Sequence, residues 1–288
     1  MKNTPDARYF YRGKSLARIE VARPVLSEFN IVSFRGDHLF PRHQHFNYQL
    51  IFAKQGAYHC TLNDAPLSLR PGDILVVKPG DWHEDYGRKS LRYHAVNFDL
   101  HGVGRGRGAD IIFQANVTPA QQVLRGRNRE IWAIVDRMQE EAARSDPFVA
   151  HLENALLLEM FWVLIRALPR EYLSPVLLQR SEQQAFNERL RRVFDNHLEK
   201  RLDAAGMAAL LGVSVRTLTT RCREIMGRPP MQAFMGYKIE YATQLLRQTG
   251  LPIKDISYRL GFQNQYHFSR VFRRSSGMPP SSVRSLPE

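Results

Sequence analysis

Three histidines in the N-terminal half of the chain have the residue type and spacing to bind a metal ion or a polar ligand. His43 and His45 alternate along a predicted strand, so both rings should lie on one face, and His83 can come from a neighbouring strand. Three imidazoles suit zinc, iron or nickel. Aromatic rings beside convergent polar groups suit a sugar or a similar polar metabolite. The residues predicted to line such an effector pocket are His43, His45, Gln49, Trp82, His83, Tyr93 and His94. The alternative for Trp82 is a place in the hydrophobic core.

The last hundred residues contain one pattern twice, forty-nine positions apart. Ala208 and Ser257 each stand four residues before a glycine, Gly212 and Gly261, and a polar, basic amphipathic stretch follows each glycine. The small residue lets two helices cross closely, and the glycine takes a turn conformation that a side chain would strain. The second helix of each pair is then free to enter a groove of DNA. The pattern predicts two helix-turn-helix motifs, at about 205–226 and 253–276.

Position within each motif predicts which side chains contact DNA. On the first recognition helix the base-facing candidates are Arg216, Thr219 and Thr220, with Arg223 on phosphate and Ser214 and Thr217 completing the set. On the second they are Gln265, Tyr266 and Arg270, with Asn264 and Ser269 near the DNA backbone. Arginine can pair with guanine and glutamine with adenine, whereas threonine offers only a hydroxyl and a methyl group. The first helix should therefore read its half-site loosely. A partly buried aromatic remains the alternative for Tyr266.

Composition and charge agree with a DNA-binding protein of two domains. The 288 residues are 43% hydrophobic and 24% charged, as in globular proteins. The longest apolar stretch, 155–168, is too short to cross a bilayer, and the N-terminus lacks the apolar run of a secretory signal, so we expect a cytoplasmic protein. Residues 180–288 hold 18 Lys and Arg against 9 Asp and Glu, most of the net charge of +13. Such an excess is expected on a surface that replaces counterions along phosphates.

The elements that position these residues are predicted from periodicity and turn signals. Residues 16 to about 100 form short strands separated by turns, which indicates an antiparallel barrel or sandwich. A glycine-rich and arginine-rich loop at 102–108 precedes two helices, the second of which (148–168) is apolar nearly all round and needs cover on several sides. A linker at 169–181 then separates residues 1–168 from an all-α domain at 182–288, which begins with a helix at about 182–200. A helix at 230–248, about 28 Å long, should separate the two motifs by nearly one turn of DNA.

Residues 185–287 resemble the AraC/XylS family of bacterial transcription regulators. The resemblance lies in residues 261–274, followed by Gly277, Pro279, Pro280 and Arg284, whereas the first motif departs from the family at Ala208, Ala209 and Cys222. The N-terminal half resembles the two cupin motifs, carried by Gly36, His43, His45, Gln49, Gly56, Gly72, Pro79, Gly80 and His83. Gln49 stands where cupins place a glutamate ligand, and sensory barrels of this family keep the histidine pair without doing chemistry. The resemblance therefore implies an effector site with no metal and no cofactor.

The predicted fold is α+β and multidomain, with an N-terminal cupin-like β-barrel carrying a two-helix extension and a C-terminal all-α domain of tandem helix-turn-helix motifs. The resemblance implies a ligand-responsive activator of a catabolic or similar operon, which is not an enzyme. The implied partners are double-stranded DNA, a small-molecule effector, a second copy of the chain and RNA polymerase, but no membrane. A basic arm at 2–18 and the linker are candidates for coupling the domains, unless the arm is an ordinary disordered terminus. The alternative function is a cupin-type dioxygenase or isomerase with a helical appendage.

Overall fold

The structure, a computed structural model, describes residues 22–34, 36–88, 90–102, 111–126 and 128–284. The arm at 2–18 and most of the loop at 102–108 lie outside these residues. The chain divides into two compact units, which part between Ser181 and Glu182. The assignment of 169–181 as an interdomain linker stays a prediction.

The N-terminal unit contains two antiparallel sheets, as predicted. The first has the strand order β1-β8-β3-β6-β9 and the second has the order β2-β7-β4-β5. The strands are β1 (Arg23–Ser33), β2 (His38–Gln44), β3 (Tyr48–Gln55), β4 (Tyr58–Leu62), β5 (Ala65–Leu69), β6 (Ile74–Val77), β7 (Trp82–Gly87), β8 (Arg92–His101) and β9 (Val123–Leu124). Strand β2 contains His43 and strand β7 contains His83, and His45 follows the last residue of β2.

Alternation along the strands gives the unit an inner face and an outer face. One apolar cluster draws side chains from both sheets, among them Ile51 of β3, Leu62 of β4 and Tyr93 of β8. We call the faces that meet in this cluster the inner face. Directly paired residues of neighbouring strands lie on the same face, and consecutive residues lie on opposite faces. The register therefore assigns every side chain of the candidate effector site to one face.

Two helices cover the outer face of the five-stranded sheet. Helix α1 (Arg129–Ala142) buries Ile131, Ile134, Val135 and Met138 as its periodicity predicted. Helix α2 (Val149–Ala167) packs against α1 and β1. Most of the apolar residues of α2 are buried by this packing, but Leu152 and Leu158 stay exposed. The apolar surface of α2, which was expected to need cover on several sides, is thus buried largely by its packing within one chain.

The helix predicted at about 182–200 begins seven residues earlier and ends sooner than expected. Helix α3 spans Pro175–Asn196. The Ser174 hydroxyl oxygen accepts a hydrogen bond from the Leu177 backbone N–H at 3.2 Å, and Pro175 takes the first helical position. Serine followed by proline is a favoured helix start, so the signal was present in the sequence. Pro175 therefore starts a helix within the segment 169–181 that was predicted to be a linker.

The C-terminal unit has two hydrophobic cores joined by one long helix. Its helices after α3 are α4 (Ala204–Leu211), α5 (Val215–Met226), α6 (Pro230–Gln248), α7 (Ile253–Arg259), α8 (Gln265–Ser276) and α9 (Pro280–Arg284). Phe234 and Tyr237 of α6 pack in the first core with α3, α4 and α5. Ile239 and Leu246 of the same helix pack in the second core with α7, α8 and α9. Helix α6 agrees with the predicted helix at 230–248.

Two further features of the structure are the character of its helices relative to a membrane span and the state of its two cysteines. Among the helices of the described ranges, none has both the length and the apolar character that a membrane span requires. Cys60 and Cys222 are free, buried thiols in different units. Burial raises the pKa of the Cys60 thiol to about 12 and that of the Cys222 thiol to about 11.

Candidate DNA-binding surface and effector site

The duplicated pattern corresponds to two helix-turn-helix motifs that repeat their backbone hydrogen bonds. In the first turn the Val213 N–H donates to the Ala208 carbonyl at 3.0 Å, and in the second the Phe262 N–H donates to the Ser257 carbonyl at 3.0 Å. Ala208 and Ser257 are both buried where the helices cross. After the turns the offset becomes fifty residues, because the second turn has one extra residue, Gln263. The two motifs are therefore the predicted ones, with a slightly longer second turn.

Each recognition helix begins at a polar cap. The Ser214 hydroxyl oxygen accepts from the Thr217 N–H at 3.0 Å, and the Asn264 side-chain oxygen accepts from the His267 N–H at 2.8 Å. Both helices end at a glycine in the left-handed conformation, Gly227 and Gly277. The caps define where each helix starts, so the side chains of its first turn have a defined orientation.

The first recognition helix, α5, turns its apolar side inward and its polar side to solvent. Leu218 and Cys222 are buried, whereas Arg216, Thr220 and Arg223 are exposed. Thr219 is half-buried, and its hydroxyl donates to the Val215 carbonyl at 2.8 Å. Thr219 therefore has its hydroxyl proton engaged within the helix, which limits it to accepting a hydrogen bond or offering its methyl group.

The second recognition helix, α8, has the same arrangement with a larger exposed polar surface. Phe268 and Phe272 are buried, Ser269 is half-buried, and Gln265 and Arg270 are exposed. Tyr266 is 88% exposed, which excludes the partly buried aromatic that was its alternative. Arg273 and Arg274 in the last turn are also exposed. These two cations were not among the residues predicted to contact DNA, although the exposed side of the periodic pattern includes them.

The two motif glycines differ in what surrounds them. Gly212 has φ +66° and Gly261 has φ +69°, so both adopt the conformation predicted for the turn. A Cβ on Gly212 would meet no atom within 4 Å, whereas a Cβ on Gly261 would lie 2.6 Å from the Glu199 carbonyl oxygen. The second turn thus packs against the backbone that follows α3.

A buried lysine, Lys238, adds contacts between the second turn and the backbone that follows α3. The Lys238 ammonium donates to the Leu260 carbonyl at 2.9 Å and to the Lys200 carbonyl at 3.2 Å, and it lies 4.7 Å from the centre of the Phe234 ring. Burial lowers the pKa of Lys238 to about 8. Lys238 therefore joins the segment before the first motif to the turn of the second.

In the N-terminal unit the structure brings His43, His45 and His83 together. His43 of β2 pairs directly with His83 of β7, and His83 pairs with Leu62 of the inner cluster, so both histidines lie on the inner face. The ring centres of His43 and His83 are 4.0 Å apart, and that of His45 is 4.9 Å from His43 and 5.1 Å from His83. One ligand nitrogen from each ring lies within 4.8 Å of the other two. These three imidazoles have the chemistry to hold a metal ion.

Gln49 also lies on the inner face, beside Asn97, which was not among the predicted site residues. Gln49 pairs with Val77 of the inner cluster and with Asn97 of β8. The side-chain oxygens of Gln49 and Asn97 are buried without a hydrogen-bond partner among the described residues. A polar residue within the apolar run of β8 was the available signal for Asn97. Unpaired buried oxygens are costly, so these two groups point to an interior that receives a polar ligand.

Tyr93 lies on the inner face and packs against Tyr58, whose hydroxyl is hydrogen-bonded. Its ring packs edge-on against Tyr58 with 5.2 Å between the centres. The Tyr58 hydroxyl donates to Asp85 at 2.6 Å, and Asp85 lies 3.1 Å from the His83 ring nitrogen Nδ1. Tyr93 thus belongs to the same interior as the histidines, and Tyr58 and Asp85 lie between it and His83.

Trp82 and His94 do not belong to that interior, which corrects two predicted positions. Trp82 precedes the inward-facing His83, so its ring lies on the outer face, where it is 42% exposed beside the Arg42 guanidinium. His94 follows the inward-facing Tyr93, and it pairs with Phe52, whose ring contacts Trp132 of α1. Because consecutive strand residues alternate between faces, neither side chain can share a pocket with the residue next to it. The exposure of Trp82 also excludes its alternative place in the core.

Comparisons with known proteins match both units to one kind of protein. A family model described as an AraC-like ligand binding domain matches residues 32–161, and a model described as a helix-turn-helix domain matches residues 207–285. The HTH-type transcriptional activator RhaS of Klebsiella pneumoniae is 23% identical over 257 residues, which are 85% of this chain and 87% of that protein. The MmsAB operon regulatory protein of Pseudomonas aeruginosa is 36% identical over 88 residues. That match covers 31% of this chain, and the chain spans only 29% of the length of that regulator.

A solved structure from Chromobacterium violaceum, described as a transcriptional regulator with an AraC-type DNA-binding domain, is also similar. It is 25% identical, with a TM-score of 0.35, and the match covers 38% of this chain and 99% of that one. The two family models together span most of the chain, in the order ligand-binding domain and then helix-turn-helix domain. The chain therefore belongs to the AraC family of DNA-binding transcription regulators that carry a ligand-binding domain.

Proposed function

We propose that this regulator binds a small polar metabolite inside the N-terminal unit and activates a bacterial catabolic or similar operon in response. The observation that carries the proposal is the pair of recognition helices, each with a buried apolar side and an exposed side that offers arginine, glutamine or threonine. Such side chains recognise base edges in the major groove. We place its action in the cytoplasm, where double-stranded DNA and RNA polymerase are its partners.

The effector site in this proposal is smaller than the sequence predicted. It consists of His43, His45, His83, Gln49 and Tyr93, with Asn97 added and with Trp82 and His94 removed. Aromatic rings beside unpaired amide oxygens favour a hydroxylated ligand such as a sugar. Membership of a regulator family supports a site that binds its ligand and does not transform it, so we propose that the chain is not an enzyme.

We further propose that two copies of the chain associate through helix α2. The side chains of Phe148, Leu152 and Leu158 stay exposed near its start and middle although they are large and apolar. Exposed apolar groups of this kind favour a protein partner. A second copy would bring a second pair of recognition helices to the same operator.

Binding of DNA by the C-terminal unit tests the central proposal. A fragment of residues 175–288, which includes the whole of α3, should bind promoter DNA from beside its own gene in an anisotropy titration. If it contacts 6 to 10 phosphates, its affinity should fall by about 10³ to 10⁵ between 50 and 200 mM salt. A folded fragment that binds no such DNA at low salt would contradict the proposal.

A pair of variants controls for net charge. Arg216→Ala and Arg247→Ala each remove one positive charge from an exposed position, the first on α5 and the second at the end of α6. Only Arg216→Ala should weaken binding to the promoter sequence relative to unrelated DNA. Equal effects of the two variants would mean that charge alone, and not the recognition helix, determines binding.

A further inference from the structure

The three inward-facing histidines have an arrangement that the effector site does not by itself require. His43 and His83 are cross-strand partners, and the ring centre of His45, which follows the end of β2, is 4.9 Å from that of His43 and 5.1 Å from that of His83. Their ligand nitrogens lie within 4.8 Å of one another. Three nitrogens bound to one tetrahedral zinc ion would be about 3.3 Å apart, since each zinc to nitrogen bond is about 2.0 to 2.1 Å long. Small rotations of the three side chains would therefore bring their nitrogens to the spacing of a coordination site.

Hydrogen bonds engage the same ring nitrogen, Nδ1, in two of the three histidines. His83 Nδ1 lies 3.1 Å from an Asp85 carboxylate oxygen, and His43 Nδ1 lies 2.8 Å from the Pro41 carbonyl oxygen. A carboxylate and a carbonyl only accept, so in the neutral form of either ring Nδ1 carries the proton and Nε2 keeps its lone pair. Carboxylate and carbonyl partners of this kind orient metal-binding histidines and determine which nitrogen binds the metal.

Within the described part of the chain, the Nε2 atoms of two of the three rings have no hydrogen-bond partner. Nε2 of His83 and Nε2 of His45 are both buried without a hydrogen-bond partner among the described residues. Buried polar atoms are rarely left unsatisfied, and a shared ligand would satisfy them together.

We propose that His43, His45 and His83 bind one divalent first-row transition metal ion through their Nε2 atoms. Three imidazole ligands favour ions of the zinc, nickel, cobalt and iron group over magnesium or calcium, which prefer oxygen ligands. Three protein ligands also leave at least one coordination position open. The buried Asp85 carboxylate behind His83 supplies negative charge that offsets part of the charge of the ion.

Cobalt titration of the full chain, expressed without a polyhistidine tag and stripped with a chelator, tests this site. Co²⁺ bound by histidines in an open site gives visible absorption, which reports coordination independently of DNA binding. We expect one equivalent of Co²⁺ per chain and its displacement by Zn²⁺. His43→Ala and His45→Ala should weaken Co²⁺ binding by about 100-fold or more, because loss of an outer-shell partner alone costs 10-fold to 100-fold. Asp85→Asn should fall within that smaller range.

The matched control is His59→Ala, which removes a half-buried histidine from the outer face of β4 in the same sheet. It should bind Co²⁺ as the unsubstituted chain does. His43→Gln replaces the alanine variant if that variant loses its far-ultraviolet circular dichroism. The proposal is overturned if the folded chain takes up no stoichiometric Co²⁺, or if the His43 and His45 variants bind it as tightly as His59→Ala.

The metal site and the proposed regulatory function fail separately. A chain that binds promoter DNA but no cobalt loses only the metal site. A chain that binds one cobalt but no DNA loses only the regulatory proposal.

Discussion

Alanine substitution of the two motif glycines measures how rigidly the second helix-turn-helix motif is attached to the first. Gly212 and Gly261 have nearly the same backbone conformation, with φ +66° and +69°. Their surroundings differ, because only Gly261 approaches the Glu199 carbonyl. Gly212→Ala therefore reports the conformational cost alone, and Gly261→Ala reports that cost plus the cost of moving the Glu199 backbone.

The magnitudes follow from these two terms. A left-handed conformation costs a residue with a Cβ about 1 to 2 kcal/mol, which is the expected loss of unfolding free energy for Gly212→Ala. In Gly261→Ala the new Cβ would lie 2.6 Å from the Glu199 carbonyl oxygen and 2.9 Å from its carbon, inside the ordinary contact range of 3.4–4 Å. Relieving such a contact in a packed region adds about 1 to 3 kcal/mol. We therefore expect Gly261→Ala to cost about 2 to 5 kcal/mol in total.

Urea unfolding of the fragment 175–288, followed by far-ultraviolet circular dichroism, compares the two variants directly. The three tryptophans of the chain, Trp82, Trp132 and Trp162, all lie in the N-terminal unit. Tryptophan fluorescence of the full chain is therefore a built-in control, and the unfolding of that unit should be the same in both variants. Promoter binding should also weaken more in Gly261→Ala, because the displaced turn precedes helix α8.

Equal losses of unfolding free energy in the two variants would refute this reasoning. Such a result would mean that the backbone at Glu199 yields without cost, so that Gly261 has no role beyond its φ angle. A change in the N-terminal fluorescence transition would instead show that the substitution acts outside the C-terminal unit.

Three further predictions concern base contacts, a buried charge and association. Arg270→Ala should cost about 1 to 3 kcal/mol on the specific site and reduce discrimination at one base, whereas Arg223→Ala should weaken all sequences alike; identical profiles across operator variants would contradict this division. The pKa of Lys238 is lowered to about 8 in the folded chain and is about 10.4 when unfolded, so the unfolded state binds more protons between those values. The unfolding free energy of the unsubstituted fragment should thus rise relative to Lys238→Met from pH 8 to pH 10, by at most about 1.4 kcal/mol per pH unit, and a constant difference would exclude an effect of this charge. Light scattering of residues 1–181 at tens of micromolar should show a dimer that Leu158→Lys weakens, and a monomer would exclude the association through α2.

The repeated motif could be predicted in detail because its signals are local. The small residue, the glycine and the amphipathic stretch that follows depend on backbone geometry and helical period within about twenty residues. The start of α3 was available in the same way from Ser174 and Pro175, but both residues were assigned to the linker at 169–181. The extra residue Gln263 in the second turn was likewise visible in the sequence.

The effector site could be predicted only in part, because membership of a strand does not specify its face. His43 and His45 were grouped correctly, since their spacing of two places them on one side of any strand. Trp82 and His94 were grouped with their neighbours His83 and Tyr93, although adjacent strand residues point in opposite directions. Asn97 lies opposite Gln49 through strand register, and register depends on pairing between distant segments.

The sequence by itself determined which residues form helices and turns in the C-terminal unit, that this unit is basic, and that the N-terminal unit is built of antiparallel strands. These properties follow from periodicity, composition and turn residues, which act over short stretches of chain. The tertiary structure alone decided that His83 meets His43 and His45, and that the Gly261 turn packs on Glu199. Contacts of this kind join residues far apart in the chain, and they exist only after strand register and helix packing are established.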